Sequence, residues 1–167
     1  MYAVEAKYAE AADTLGKLIG THGHTLIWGG SDSGLMKTIA GAVQKNGGKL
    51  IGVTMERIRD TARKSADELI ITKDLNERKT LMRERADVFV LLPGGIGSLD
   101  EITEILELKK HGLHDKQIVI LNTNDFYGDF RLQLERMGRE GFIARPLQEY
   151  LHFAATPEEA FDFLNER

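Results

Sequence analysis

Short apolar runs alternate with longer amphipathic segments along the whole chain, and this alternation predicts strands that are each followed by a helix. The first segment, Ala3 to Gly20, is rich in alanine and carries Leu15, Leu18 and Ile19 at helical spacing. The apolar runs predict strands at 25–28, 49–54, 68–72, 88–92, 117–121 and 151–154. Further helices are predicted at 35–45, 76–85, from Ser98 to Lys110, 126–140 and 157–164.

This order of elements is typical of the α/β class. It predicts a Rossmann-like open, mostly parallel β-sheet with helices on both faces, built as a single domain over residues 1–167. A hydrophobic content of 42% is enough for one core in a chain of this length. Ligands of such sheets bind at the carboxyl ends of the strands, so the loops there are the candidate functional segments.

The loop after the fourth strand is the clearest candidate. Pro93 ends the apolar run, and the glycines that follow leave backbone N–H groups uncovered by side chains. Ser98 is predicted as the N-cap of the next helix, whose free amides could hold an anion such as a phosphate. The residues expected to bind phosphate here are Gly94, Gly95, Ile96, Gly97 and Ser98.

A second interpretation of this helix start stays open. Ser98-Leu99-Asp100-Glu101 also fits the capping box, in which Glu101 would reach back to the amide of the cap residue. Leu99, Ile102, Ile105 and Leu106 would form the buried stripe of the helix.

Two other segments could contact a phosphate. Gly29 and Gly30 open a loop between a strand and a helix, although the lysine spacing is not that of a Walker loop, and a simple tight turn is the alternative. Arg78 and Lys79 lie near the positive end of a predicted helix, where an anion should compensate them. The alternative there is a solvated charged face. The charged segment between the second and third strands has no clear pattern.

The ordered motifs of the chain resemble those of the LOG ("lonely guy") family of phosphoribohydrolases. Residues 93–101 resemble the family motif P-G-G-x-G-T-x-E-E, with Ser98 in place of threonine and Asp100 in place of the first glutamate. Three more motifs match in order: Gly29-Gly30 with Gly34-Leu35-Met36, Glu77-Arg78-Lys79 with Met82, and Gly112 to Lys116. The resemblance implies hydrolysis of the N-glycosidic bond of a nucleoside 5′-monophosphate, AMP or an N6-substituted cytokinin nucleotide, to free base and ribose 5-phosphate.

The resemblance also implies site residues and assembly. Arg78 and Glu101 match the family's catalytic pair, with Glu101 stabilising positive charge on the sugar and Arg78 orienting the substrate. Lys79, Gly29, Gly30 and Met36 are expected to assist binding. Family members are dimers or larger assemblies, so a homodimer or higher homo-oligomer is expected. The family's first strand and Gly-Ser loop have no counterpart ahead of the first helix.

The preferred base and the presence of catalysis are two points on which the sequence leaves alternatives open. Where plant members resembling this chain carry Thr-Trp, this sequence has Glu107-Leu108, which favours plain AMP over a prenylated analogue. A nucleotide-binding protein without hydrolysis, similar to the molybdenum-cofactor carriers, is the alternative function. Nothing marks a Schiff-base lysine, so pyridoxal-dependent decarboxylation is not expected.

Composition narrows the choice of partners. A net charge of -4 disfavours nucleic acid and anionic membrane surfaces. The chain has no cysteine, its five histidines have no metal-ligand spacing, and no cofactor or metal is expected. Without an apolar run of about 18 residues or a signal peptide, a cytoplasmic location is predicted.

Overall fold

A computed structural model describes residues 4–165. Ala3, where the first helix was predicted to begin, lies outside the described residues. The chain divides into two compact units, one ending at Ala86 and one beginning at Asp87. The prediction that residues 1–167 form one domain stays a prediction.

The first unit is a three-stranded parallel sheet with helices. Its strands pair in the order β1, β2, β3. Its elements are α1 (Ala6–Thr21), β1 (Thr25–Trp28), α2 (Gly34–Lys45), β2 (Lys49–Met55), a 3-10 helix (Glu56–Thr61), β3 (Glu68–Thr72) and α3 (Leu75–Arg85).

Small residues let α1 and α2 approach closely. A methyl group on Gly16 would lie 2.6 Å from the Cβ atom of Ala42 and 2.8 Å from the carbonyl oxygen of Ile39. The buried side of α1 therefore consists of alanine and glycine around Leu15, while the predicted Leu18 and Ile19 are only half-buried. The apolar pattern predicted the helix correctly, but the small residues form most of its contact surface.

The second unit is also a three-stranded parallel sheet with helices. Its strands pair in the order β4, β5, β6. Its elements are β4 (Phe89–Leu91), α4 (Ile96–Lys110), β5 (Ile118–Leu121), 3-10 turns at Thr123–Asp125 and Leu147–Glu149, α5 (Gly128–Arg139), β6 (His152–Ala154) and α6 (Pro157–Asn165). All four residues of β5 are buried, as expected for a central parallel strand.

The predicted parallel α/β class is confirmed, with every predicted strand and helix present and the strands paired in two ladders. The helix predicted over 126–140 begins later, at Gly128, because Tyr127 has φ -102° and ψ 20°, outside the helical range, and is the N-cap. No described helix is long and apolar enough to cross a membrane.

Candidate functional site

The start of α4 differs from the sequence prediction. Gly95 is the N-cap, and its carbonyl accepts hydrogen bonds from the N–H groups of Ser98 (3.1 Å) and Leu99 (3.2 Å). Ser98 therefore lies inside the first turn, and the predicted N-cap and capping box at Ser98 are wrong. The reason is that the extended backbone of Gly95 can already supply the first helical acceptor, so the helix begins two residues earlier than Ser98.

This earlier start changes what the side chains of Ser98 and Glu101 can do. The Oγ atom of Ser98 packs against Gly94, where a methyl group would overlap it. Gly94 must therefore be glycine for this packing. Glu101 lies one turn into α4 and is half-buried. Because the N-cap is Gly95 rather than Ser98, a capping box between Ser98 and Glu101 no longer accounts for these two residues.

The first turn of α4 is open to solvent. Ile96 is 88% exposed, and the neighbouring Gly95 and Gly97 are exposed too. A methyl group on either glycine would meet no other atom within 4 Å. An approaching phosphate thus has unobstructed access to the backbone here, at the end where the helix dipole favours negative charge. Of the predicted apolar stripe of α4, only Ile102 is fully buried, at 2% exposure.

In the first unit, three predicted site residues meet. Gly29 follows β1, and a methyl group there would overlap the guanidinium of Arg78 and lie 3.3 Å from the sulfur of Met36. The Nε atom of Arg78 donates a hydrogen bond of 2.9 Å to the carbonyl oxygen of Val53 in β2. The guanidinium is therefore fixed over the end of the parallel sheet, and Gly29 leaves the space that it occupies.

The start of α3 has its own negative charge. Asp74 is the N-cap, and its carboxylate accepts a 2.9 Å hydrogen bond from the N–H of Glu77. The Glu77 carboxylate in turn accepts a 2.8 Å bond from the N–H of Lys73. The compensating anion expected beside Arg78 and Lys79 is thus supplied in part by the protein. Lys79 lies one residue further along α3 and is half-buried.

The segment that the sequence could not assign holds the first glycine loop. The Arg63 N–H donates to the carbonyl of Gly30 (2.8 Å), and the Asp32 N–H donates to the carbonyl of Thr61 (2.9 Å). The Arg63 guanidinium also donates to Asp32 Oδ1 (2.8 Å) and Gln44 Oε1 (2.9 Å). Gly30 has a φ of +77°, which glycine adopts without strain. Sequence analysis missed Arg63, since its partners are distant in the chain.

A second residue that sequence analysis missed is Tyr127. It is 3% exposed, and its hydroxyl donates a 2.8 Å hydrogen bond to the carbonyl of Leu92, directly before the glycine loop. Burial raises the pKa of Tyr127 to about 12, and an opposing hydrogen-bonding interaction with the Gly94 backbone only partly offsets this. The hydroxyl therefore stays protonated and remains a donor at neutral pH. The turn residues Asn122 to Asp125 could have indicated an unusual corner, but not its target.

Two features lie at the far end of α4. Glu107 is exposed and bonds Lys110 (3.1 Å) and His111 (2.9 Å), and the bond from Lys110, followed by that from His111, lowers the pKa of its carboxyl. A cavity of about 490 Å³ is lined by none of the predicted site residues. Its lining consists of Lys109, Gly112, His114, Asp115, Arg145, Glu149 and Tyr150.

Parallel strands whose carboxyl ends lead through glycine loops into helices define an α/β protein of the open-sheet type, in which ligands bind at those ends. Residues 36–164 match the family model described as "Possible lysine decarboxylase". The chain is 38% identical over 140 residues to a cytokinin riboside 5′-monophosphate phosphoribohydrolase of Rhodococcoides fascians, covering 82% of this chain and 71% of that protein. It is 35% identical over 144 residues to the enzyme of that name from Mycobacterium marinum, covering 85% and 77%. The chain belongs to this family, the LOG family.

The fold has solved counterparts. A molybdenum cofactor binding protein from Rippkaea orientalis superposes with a TM-score of 0.75 at 21% identity, over 96% of this chain and 88% of that one. The molybdenum cofactor carrier protein of Chlamydomonas reinhardtii gives a TM-score of 0.74 at 24% identity, over 98% and 89%. At these identities the similarity concerns the fold alone.

Proposed function

We propose that this chain hydrolyses the N-glycosidic bond of a purine nucleoside 5′-monophosphate, releasing the free base and ribose 5-phosphate. The names of its relatives support this activity. The observation that carries the proposal for this chain is the helix start at Gly95, because it removes capping as the reason for a serine and a glutamate at 98 and 101.

The roles follow from the charge that the reaction develops. As the bond between C1′ and the base nitrogen lengthens, positive charge grows on the ribose, and the Glu101 carboxylate stabilises it and orients the attacking water. The water oxygen then bonds to C1′ and releases one proton as the C1′–N bond breaks. The base leaves with the bonding electron pair and its nitrogen takes up one proton, so that one water is consumed with no net change in protons. Arg78, fixed by Val53, offers a charge that is permanent and suited to forked hydrogen bonds with a phosphate or the ribose.

The proposed phosphate contacts are the backbone groups of Gly94, Gly95, Ile96 and Gly97 with the Ser98 side chain. Gly29, Gly30, Met36 and Lys79 are proposed to line the binding site of the nucleotide. A helix N-terminus with exposed amides is a favourable phosphate site without a metal ion. Plain adenine is the base we propose, because Glu107-Leu108 stands where plant members resembling this chain carry Thr-Trp.

The test measures free base and ribose 5-phosphate released from AMP and from isopentenyladenosine monophosphate. Wild type should release both products, more efficiently from AMP. Glu101→Gln and Arg78→Lys should each lower kcat/KM by at least about 100-fold. Matched controls are Glu140→Gln in the same unit as Glu101, and Arg85→Lys, an exposed arginine of α3 paired with Glu68.

Two outcomes would contradict the proposal. Full activity in Glu101→Gln would show that this carboxylate does not stabilise the transition state. Tight nucleotide binding by wild type without release of base would favour a non-catalytic carrier instead.

A further inference from the structure

We propose that Tyr127 is a positioning residue for the glycine loop: its hydroxyl holds the end of β4 so that residues 94–97 present their backbone to a phosphate. Tyr127 touches no substrate in this role and acts through the loop backbone. That the loop binds a phosphate rests on the proposed function. The effect of the tyrosine on the loop is independent of it.

The first step is the bond to the loop. β4 ends at Leu91, and Pro93 has no N–H with which to continue the ladder. The carbonyl of Leu92, between them, accepts the 2.8 Å bond from Tyr127. The tyrosine hydroxyl thus holds the backbone between the last residue of β4 and Pro93.

The second step is what holds Tyr127. Its backbone N–H donates a 2.6 Å hydrogen bond to Oδ1 of Asn122, and Nδ2 of Asn122 donates a 2.8 Å bond to Oδ1 of Asp125. The N–H of Asn122 is itself bonded to the carbonyl of Ala154 in β6 (2.7 Å). The backbone of the tyrosine is therefore connected to β6 through a single residue, Asn122.

The third step is the strain at this corner. Asn124 has a φ of 53° and Asp125 a φ of 55°, left-handed conformations that non-glycine residues adopt at a cost. Gly128 must also lack a side chain, because a methyl group there would overlap the Asp125 carboxylate. Such conformations persist only where neighbouring contacts over-determine them, and they are concentrated at functional sites. Here the corner places the tyrosine against the glycine loop.

The variant that tests this is Tyr127→Phe, which removes only the hydroxyl. The matched control is Tyr150→Phe, since Tyr150 is also buried in this unit, at 7% exposure, and lies beside β6 rather than the loop. Two measurements compare them with wild type. Hydrogen exchange of peptides covering residues 89–99 reports on the loop directly, and calorimetry reports the affinities for AMP and for adenosine, which lacks the phosphate.

Tyr127→Phe should increase exchange in this segment by on the order of ten-fold and weaken AMP binding by a similar factor, because one buried hydrogen bond is lost. Adenosine binding should be unchanged. In turnover, KM for AMP should rise with a smaller change in kcat, as expected for loss of uniform binding. Tyr150→Phe should leave exchange in this segment and AMP affinity at wild-type values.

Wild-type exchange and AMP affinity in Tyr127→Phe would overturn the inference. Equal losses for AMP and adenosine would also overturn it, since they would indicate a general structural role. If wild type released no base, the proposed function would fail, and the exchange comparison would still decide whether Tyr127 orders the loop.

Discussion

Gly29 and Arg78 show how a single missing side chain positions a charged one. The Arg78 guanidinium occupies the space that any Cβ atom on Gly29 would need. The guanidinium is also bonded to the Val53 carbonyl, so it cannot move aside without losing that hydrogen bond. The glycine is therefore required by a contact with a distant residue rather than by a turn.

Gly29→Ala should lower kcat/KM by about 100-fold through displacement of Arg78, since small misplacements of a positioning group have effects of that size. The control is Gly41→Ala within α2. Outside the helix's own backbone, the atom nearest to a new methyl group there is an Arg63 nitrogen at an ordinary contact distance of 3.9 Å. That variant should keep its activity and gain stability. Wild-type activity in Gly29→Ala would contradict the assigned position of Arg78.

Tyr127 predicts a pH dependence of stability with a defined sign. Its folded-state pKa of about 12 lies above the ordinary value of 10.0, because burial disfavours the phenolate. The contribution of the protonated tyrosine to the free energy of unfolding is complete below pH 10. It is lost as the pH rises through about 12. The free energy of unfolding, measured in urea, should therefore fall more steeply across this range in wild type than in Tyr127→Phe. Parallel curves would contradict the raised pKa.

At the scale of elements, α3 and α4 begin in different ways. Asp74 caps α3 through its side chain, whereas α4 begins at Gly95 without a side-chain cap. The cap of α3 satisfies one amide of its first turn, that of Glu77. The uncapped end of α4 leaves room for an external anion.

This difference predicts that removing the two polar side chains affects different properties, stability in one case and AMP binding in the other. Asp74→Ala should lower the free energy of unfolding by about 1 kcal/mol, the usual cost of losing an N-cap. Ser98→Ala should change it by less than about 0.5 kcal/mol while weakening AMP binding. Chemical denaturation and calorimetry measure the two effects. A loss of stability in Ser98→Ala as large as that in Asp74→Ala would restore the capping interpretation.

At the scale of the whole molecule, the assembly of the chain stays a prediction. In the described part of the second unit, Leu113 and Phe142 are 70% and 75% exposed. Apolar residues exposed singly are normal on a monomer, and a contiguous patch is what marks an interface. The homodimer or larger homo-oligomer therefore rests on the resemblance to the LOG family. Light scattering should give a mass at least twice the 18.7 kDa of one chain, and a mass equal to one chain would contradict it.

Much of the fold could be predicted from local sequence. The apolar runs at 25–28 and 88–92 correspond to β1 and β4, because a short apolar run bounded by glycine or proline is typical of a strand. Pro157 begins α6, where its missing N–H costs nothing. The glycines after β1 and β4 indicated the candidate loops for the same local reason.

Contacts between distant residues could not be predicted in this way. Periodicity indicates which residues are buried but not which side chain meets which backbone group. The bond between Arg63 and Asp32 joins residues that are 31 positions apart in the chain, and the bond between Tyr127 and Leu92 joins residues that are 35 positions apart. Even the start of α4 could not be predicted, because the local sequence fits an N-cap at Ser98 as well as one at Gly95. The extended backbone of Gly95 decides between the two.

The sequence by itself determined the parallel α/β class, the two glycine loops and the residues that match the LOG family, because each depends on local composition and order. The tertiary structure decided that Arg78 occupies the space left by Gly29, that Ser98 and Glu101 are not a capping pair, and that the Tyr127 hydroxyl bonds the Leu92 carbonyl before the glycine loop. These depend on close packing, in which each atom's position is set by neighbours from elsewhere in the chain.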